Sequence, residues 1–247
     1  MLKVEHLNKS FEDKQVLHDV SFTVPKGKIV GFIGHNGAGK TTSLKHVVGI
    51  YPPQPHTVTI DGMDFSEQPL ECKKILAYLP DSPTLYDAMS AIEYLKFIAG
   101  IYQVEATVAI SRIEQLAKKL SIFDNLNEPI SSMSHGMQQK IAVIGALLHS
   151  PRLLVLDEPF VGLDPVASHF LKQTMRDMCD EGASVLFSSH VLEVVENLCD
   201  EIIVIKEGKI VAQGRTDELI GQAGNLESYF LELQDGDEGQ GIDDELV

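Results

Sequence analysis

The segment Gly34-His35-Asn36-Gly37-Ala38-Gly39-Lys40-Thr41 satisfies the pattern G-x-x-x-x-G-K-[ST]. Glycines at this spacing let a backbone wrap with its N–H groups facing inward, which makes a nest for an anion. A short apolar run, Ile29–Ile33, precedes the loop, and Lys40–Val48 has helical composition. The nest should therefore open onto a helix N-terminus and gain its partial positive charge. Lys40 is expected to reach the β- and γ-phosphates of a nucleotide, and Thr41 Oγ to bind Mg²⁺. The expected nucleotide contacts are Gly34, Asn36, Gly37, Ala38, Gly39, Lys40, Thr41 and Thr42.

A second string, Leu153-Leu154-Val155-Leu156-Asp157-Glu158, is an apolar run that ends in two carboxylates, the Walker B pattern. Asp157, at the strand end, can hold Mg²⁺ through water. Glu158 is placed to polarise the water that attacks a γ-phosphate. An apolar run followed by Asp-Glu is common by chance; a phosphate loop in the same chain gives it meaning.

These strings need strands and helices to position them. In the N-terminal third, Lys3–Leu7, Val20–Val24, Lys28–Ile33, Thr57–Ile60 and Ile75–Leu79 read as short strands. Pro25-Lys26-Gly27 and Asp61-Gly62 read as turns, and Pro80 stops the last strand. The middle is helical: Ala91–Tyr102 and Val108–Leu120 carry apolar stripes, 124–134 reads as a polar loop, and a helix is expected from Gly136 to Leu148. The last third alternates strands at Leu153–Leu156, Ser184–Ser188, Glu201–Ile205 and Lys209–Gln213 with helices at Pro165–Cys179 and Val191–Leu198. Strands alternating with helices imply a largely parallel sheet, into which the helical middle is inserted.

The composition narrows the function further. The chain has 247 residues, 20 Lys plus Arg against 36 Asp plus Glu, and a net charge of −16. So acidic a chain is a poor ligand for nucleic-acid phosphates. Asp235, Asp237, Glu238, Asp243, Asp244 and Glu245 crowd the C-terminal end, and the segment from 231 reads as an acidic, disordered tail. Cys72, Cys179 and Cys199 form neither a disulfide framework nor a metal-ligand spacing, and suit a reducing cytosol. The first residues already read as a strand, so no signal peptide is expected. The longest clean apolar run, Ile141–Leu148, falls far short of the ~18–20 residues that span a bilayer.

Three further strings fix a resemblance: Ser134-His135-Gly136-Met137-Gln138-Gln139-Lys140 before Walker B, Gly162-Leu163-Asp164-Pro165 after it, and Ser188-Ser189-His190 at the end of the next strand. With the phosphate loop, this ordered set resembles the ATP-binding cassette (ABC) ATPases over about residues 2–220. It is most similar to the separate ATPase subunits of bacterial exporters, which carry S-x-G-M-x-Q-[RK] in place of L-S-G-G-Q. The resemblance implies an α/β fold: a P-loop NTPase core with an N-terminal antiparallel β-subdomain and an inserted α-helical subdomain at roughly 84–150, in one module over 1–230. It implies ATP and Mg²⁺ as cofactors, a second ATPase subunit as partner in a homodimer, and a membrane permease on another chain. The location would be cytoplasmic, on the inner face of the membrane.

The same resemblance assigns roles. Phe11 matches the aromatic that stacks on adenine. Ser134 and Gly136 match the signature that acts on the nucleotide of the opposite subunit, and Asp164 the residue linking the two sites. His190 matches the histidine that contacts the γ-phosphate, and joins Glu158 as catalytic. The sequence departs from the family in three places. Asp81 stands where Gln is usual, and a carboxylate there would ligate Mg²⁺ beside Thr41 and Asp157 while adding negative charge near the γ-phosphate. His135 and Met137 replace signature Gly and Gln, and His56 replaces a turn Gly. Two other classes compete: a soluble ABC ATPase serving a cytosolic metal-cluster scaffold, and a translation- or DNA-repair-type ABC protein. The second would have two cassettes or a long coiled-coil insertion, and this chain has neither.

Overall fold

A computed structural model describes residues 1–221 and 224–235. The N-terminal sheet is four-stranded and antiparallel, in the order β2 (Lys14–Val24), β1 (Leu2–Phe11), β4 (Val58–Ile60), β5 (Met63–Asp64). β1 and β2 join in a tight hairpin, with Phe11 opposite Lys14 and Glu12 at φ 50°. The hairpin is longer than Lys3–Leu7 and Val20–Val24 suggest, because its outer half carries polar side chains to solvent and loses the apolar alternation. His56, where a glycine was expected, sits at φ 57° with Nδ1 2.9 Å from Asp64 Oδ2.

The second sheet runs β10 (Lys209–Arg215), β9 (Glu201–Lys206), β3 (Ile29–Ile33), β8 (Ser184–Ser189), β7 (Leu153–Asp157), β6 (Leu76–Leu79). All neighbours in it are parallel except β9 and β10. β3, β7 and β8 are buried along their whole lengths. Covering both faces of a parallel sheet requires such near-continuous apolar runs. The fold is thus the α/β architecture with an antiparallel β-subdomain. β3 and β7 carry the phosphate loop and the two carboxylates at their C-terminal ends, where open α/β sheets form clefts.

The inserted helices are α3 (Ala91–Ile101), α4 (Ala106–Lys119) and α5 (His135–Leu147). Ser90 and Glu93 close a capping box on α3, and Glu105 caps α4, which starts two residues earlier than the apolar stripe indicated. Leu95, Ile113, Ile144 and Leu148 pack in one cluster that continues under the main sheet through Leu154 and Phe187. Burying each such side chain contributes roughly 1.5–3 kcal/mol. The expected loop 124–134 contains single 3₁₀ turns at Phe123–Asn125 and Ile130–Ser132. α1 (Lys40–Val47), α6 (Pro165–Asp180) and α7 (Leu192–Leu198) lie within a residue or two of expectation.

Three helices have no counterpart in the sequence reading: α2 (Pro69–Lys74), α8 (Thr216–Ile220) and α9 (Leu226–Asp235). α2 ends at Ile75, so the following strand begins at Leu76 rather than Ile75. α9 crosses residue 230, so 231–235 are its last turns, and the acidic tail from 236 onward lies outside the described residues.

Candidate functional site

The loop between β3 and α1 is held open from inside. Gly39 adopts φ 110°, and a Cβ there would lie 2.7 Å from Leu17 Cδ2, so the turn into α1 requires glycine. Lys40 folds back over the loop, its Nζ donating to Gly34 O at 2.6 Å and to His35 O at 3.1 Å. Burial pushes the Lys40 ammonium below its ordinary pKa, while Glu158 and Asp157 oppose that shift.

The loop faces a cleft of about 330 Å³ whose lining includes Asn36, Lys40, Thr41, Asp81, Asp157 and Glu158. One open space therefore gathers the loop's cation and hydroxyl with three carboxylates from the ends of β6 and β7. Asp157 is 2% exposed, and its Oδ1 accepts a hydrogen bond of 2.5 Å from Ser188 Oγ. Glu158 turns out of the strand with φ 48°, and its Oε2 lies 2.9 Å from His190 Nδ1. The His190 backbone N–H approaches the same oxygen at 3.4 Å. An acceptor-rich pocket beside an ammonium and a hydroxyl suits a phosphate group together with a hard cation.

Comparison with known proteins identifies the family and the fold. A family profile described as "ABC transporter" matches residues 17–161. This chain belongs to the ABC transporter family. The chain is 36% identical over 224 residues to the ABC transporter ATP-binding protein NatA of Bacillus subtilis, covering 89% of this chain and 91% of NatA. It is 34% identical over 230 residues to the lantibiotic transport ATP-binding protein SrtF of Streptococcus pyogenes, covering 93% and 96%. The solved structure of an ATP-binding subunit of an ABC transporter superposes with a TM-score of 0.89 at 33% identity, covering 95% of this chain and 99% of that one. The chain is accordingly an ABC ATPase that binds ATP.

Within this ABC ATPase the remaining expected residues lie elsewhere. Phe11, on β1, meets Tyr51 edge-on with ring centroids 5.6 Å apart, and Lys9 Nζ sits 4.7 Å above the Phe11 ring. Neither aromatic lines the phosphate cleft. Ser134 caps α5, accepting the Met137 N–H at 3.3 Å, and is itself exposed. Gly136 approaches the next string closely, since a Cβ there would be 2.9 Å from Gly162 O. Asp164 caps α6 through Ala167 N–H at 2.8 Å and pairs with Lys140 Nζ at 2.6 Å. Ser134, Gly136 and Asp164 are not in the lining of the Lys40 cleft, so one chain alone does not unite the two sets.

Sequence reasoning assigned nothing to Ser188, Tyr51 or Lys140. Tyr51 carried no usable signal, because its nearness to Phe11 depends on how the N-terminal sheet folds over α1. Lys140 stood in a quoted motif, but its pairing with Asp164 requires the packing of α5 beside α6.

Proposed function

We propose that the chain is the ATP-hydrolysing subunit of an ABC transporter. It closes with a second copy around two Mg·ATP and drives a permease on a separate chain, in the export direction. The observation that carries this reading is the convergence of Lys40, Thr41, Asp81, Asp157 and Glu158 on one cleft, with His190 bonded to Glu158.

Thr41, Asp157 and Asp81 would hold Mg²⁺, which when bound supplies the positive charge that neutralises the β- and γ-phosphate oxygens. Lys40 exchanges its two carbonyl partners for phosphate oxygens, keeping its ammonium hydrogen-bonded throughout. Glu158 orients the attacking water and accepts its proton. His190 holds the Glu158 carboxylate in place through Nδ1–H. Phe11 supplies a π-face for adenine at the edge of the cleft. Ser134 and Gly136 cap the nucleotide of the other copy, consistent with the exposure of Ser134 and with the absence of both from the cleft lining of their own chain. The module extends through α9, to residue 235 of the described residues.

The permease reading draws on a surface. A groove of about 160 Å³ lined by Pro80, Pro83, Leu85, Tyr94 and Ile98 leads from the Asp81 loop to α3. Beside it Tyr86 (57% exposed), Phe97 (41%) and Ile101 (58%) leave apolar surface uncovered. Such a patch marks a protein interaction site. No helix of the described residues is long and apolar enough to cross a membrane. In this reading the spanning part belongs to the partner, and the chain works on the cytoplasmic face. The export direction rests on the S-x-G-M-x-Q-K signature and on the likeness to a lantibiotic transport protein.

The test is a search of the neighbouring genes for a product with about six apolar runs of about 20 residues, followed by co-expression of that product with this chain. The two should co-purify from membranes, the permease should stimulate hydrolysis, and Tyr86→Glu should abolish both effects while leaving basal hydrolysis intact. A chain that stays in the soluble fraction on a scaffold protein would refute the transporter reading and favour the metal-cluster alternative.

A further inference from the structure

We propose that Ser188 is a positioning residue for hydrolysis, whose hydroxyl ties Asp157 and Glu158 together and holds each carboxylate to a separate task. The proposal rests on the reading of Asp157 as metal ligand and Glu158 as base.

Ser188 lies on β8, directly opposite Asp157 in the parallel ladder with β7. Its side chain is 0% exposed. Its Oγ makes two contacts of opposite sense: it donates its single proton to Asp157 Oδ1 at 2.5 Å, and it accepts the backbone N–H of Glu158 at 3.1 Å. The Ser188 carbonyl shares that N–H at 3.2 Å. A hydroxyl has one proton to give. The Glu158 N–H approaches the oxygen from the acceptor side, which leaves the proton to point at Asp157.

Two consequences follow. The bond to Oδ1 fixes the rotation of the Asp157 carboxylate, so the same face is always turned to the cleft. The bond from Glu158 N–H braces the turn that takes Glu158 out of the strand at φ 48°. Non-glycine residues hold such a conformation only when their surroundings over-determine it. The turn brings the Glu158 carboxylate to His190, with Oε2 and Nδ1 2.9 Å apart. Removing the hydroxyl would leave one oxygen of a buried carboxylate short of a donor and slacken that turn. Metal placement and base placement would then fail together, while the phosphate loop, built on other residues, stays intact.

The test compares Ser188→Thr with Ser188→Val, two side chains of the same shape that differ in the hydroxyl. Any packing strain from the added methyl falls on both alike. Hydrolysis is titrated with Mg²⁺ and Mn²⁺, and binding of a fluorescent ATP analogue is measured in EDTA. Ser188→Val should need five- to tenfold more metal for half-maximal hydrolysis and lose tenfold or more in kcat relative to Ser188→Thr. Metal-free nucleotide affinity should agree between the two, while Ser188→Val should melt lower, since it alone leaves the buried Asp157 oxygen without its donor. Equal metal requirement and kcat in the pair, or a loss that appears equally in metal-free binding, would overturn the proposal. Glu158→Gln is run beside them. If it is inactive while the pair is indistinguishable, Ser188 alone has been misread. If it hydrolyses ATP normally, the catalytic reading fails and this proposal with it.

Discussion

Replacing Glu158 by Gln is the sharpest probe of the hydrolytic reading. The carboxylate is largely buried and its Oε2 takes a hydrogen bond from His190 Nδ1 at 2.9 Å. An amide of the same length keeps one oxygen for that bond, so the site's shape should survive. What disappears is the group that accepts the proton of the attacking water. A positioned base is worth about 10²–10⁴ in rate, or about 2.7–5.4 kcal/mol of barrier at roughly 1.36 kcal/mol per decade. Binding should behave differently. Glu158 lies close enough to Lys40 to favour its charged form, and it faces the same cleft as the incoming phosphates. Neutralising it removes a repulsion from the γ-phosphate, so ATP affinity should hold or rise. Single-turnover hydrolysis with enzyme in excess separates chemistry from product release. A fluorescent nucleotide titration reports binding, and size exclusion with ATP should show an accumulating dimer. Lys40→Ala provides the contrast, because it should weaken binding itself. Hydrolysis by Glu158→Gln within a few-fold of wild type would show that Glu158 is not the base.

Asp81→Asn should raise the Mg²⁺ concentration for half-maximal hydrolysis several-fold, since a hard cation loses a charged oxygen ligand; an unchanged titration would exclude Asp81 from the metal site. Phe11→Ala should weaken ATP binding by about tenfold or more, given stacking worth about 1–3 kcal/mol per base, with kcat at saturation preserved; equal affinity by isothermal titration would move the adenine elsewhere. Asp164→Asn tests the pair with Lys140 on stability. The Lys140 hydrogen bond, aided by Ala167 N–H, lowers the Asp164 pKa below 3.8. A depressed carboxylate stabilises the fold above its unfolded pKa and loses that contribution as pH falls through the folded one. The melting-temperature gap between wild type and Asp164→Asn should therefore be steady from neutral pH to about 5 and close below about 4. The Asp164 carboxylate is half-exposed, so the gap should reflect no more than about 1 kcal/mol. A gap that does not narrow at all as pH falls below about 4 would show that the carboxylate's charge is not its source.

The parts of this protein legible from sequence share a property: their chemistry is contiguous. The phosphate loop is one string because a nest is made by successive N–H groups. Asp157 and Glu158 are adjacent because a strand end delivers both to one cleft. The central strands were legible because burial on two faces forces unbroken apolar runs such as Ile29–Ile33. Less was visible wherever the structure needs a partner distant in the chain. α2 has six residues, too few for a helical period to stand out. The outer half of the β1–β2 hairpin is polar, and its strand character comes from pairing rather than from alternation. Only the part of α9 from residue 231 reads as acidic tail; its first half, where Leu226 is fully buried and the Phe230 ring lies 4.9 Å from that of His35 in the phosphate loop, gave no helical signal of its own.

The same division runs through the site. A motif reports which groups carry out a reaction, because those groups are constrained to be near one another in sequence or in a fixed order. It says little about what holds them still. Ser188 stands in a quoted string beside His190, but its hydroxyl matters because β8 lies next to β7, which places Ser188 opposite Asp157. Lys140 ends the signature string, but its ion pair exists because the first half of α5 lies beside the N-terminus of α6 and meets Asp164. Gly136 and Gly162 belong to separate strings, and their close approach joins the signature to the segment after Walker B. Each link connects one legible string to another. Which strings the fold brings together is thus a property of the sheet order and of the contacts between the first half of α5 and the segment leading into α6.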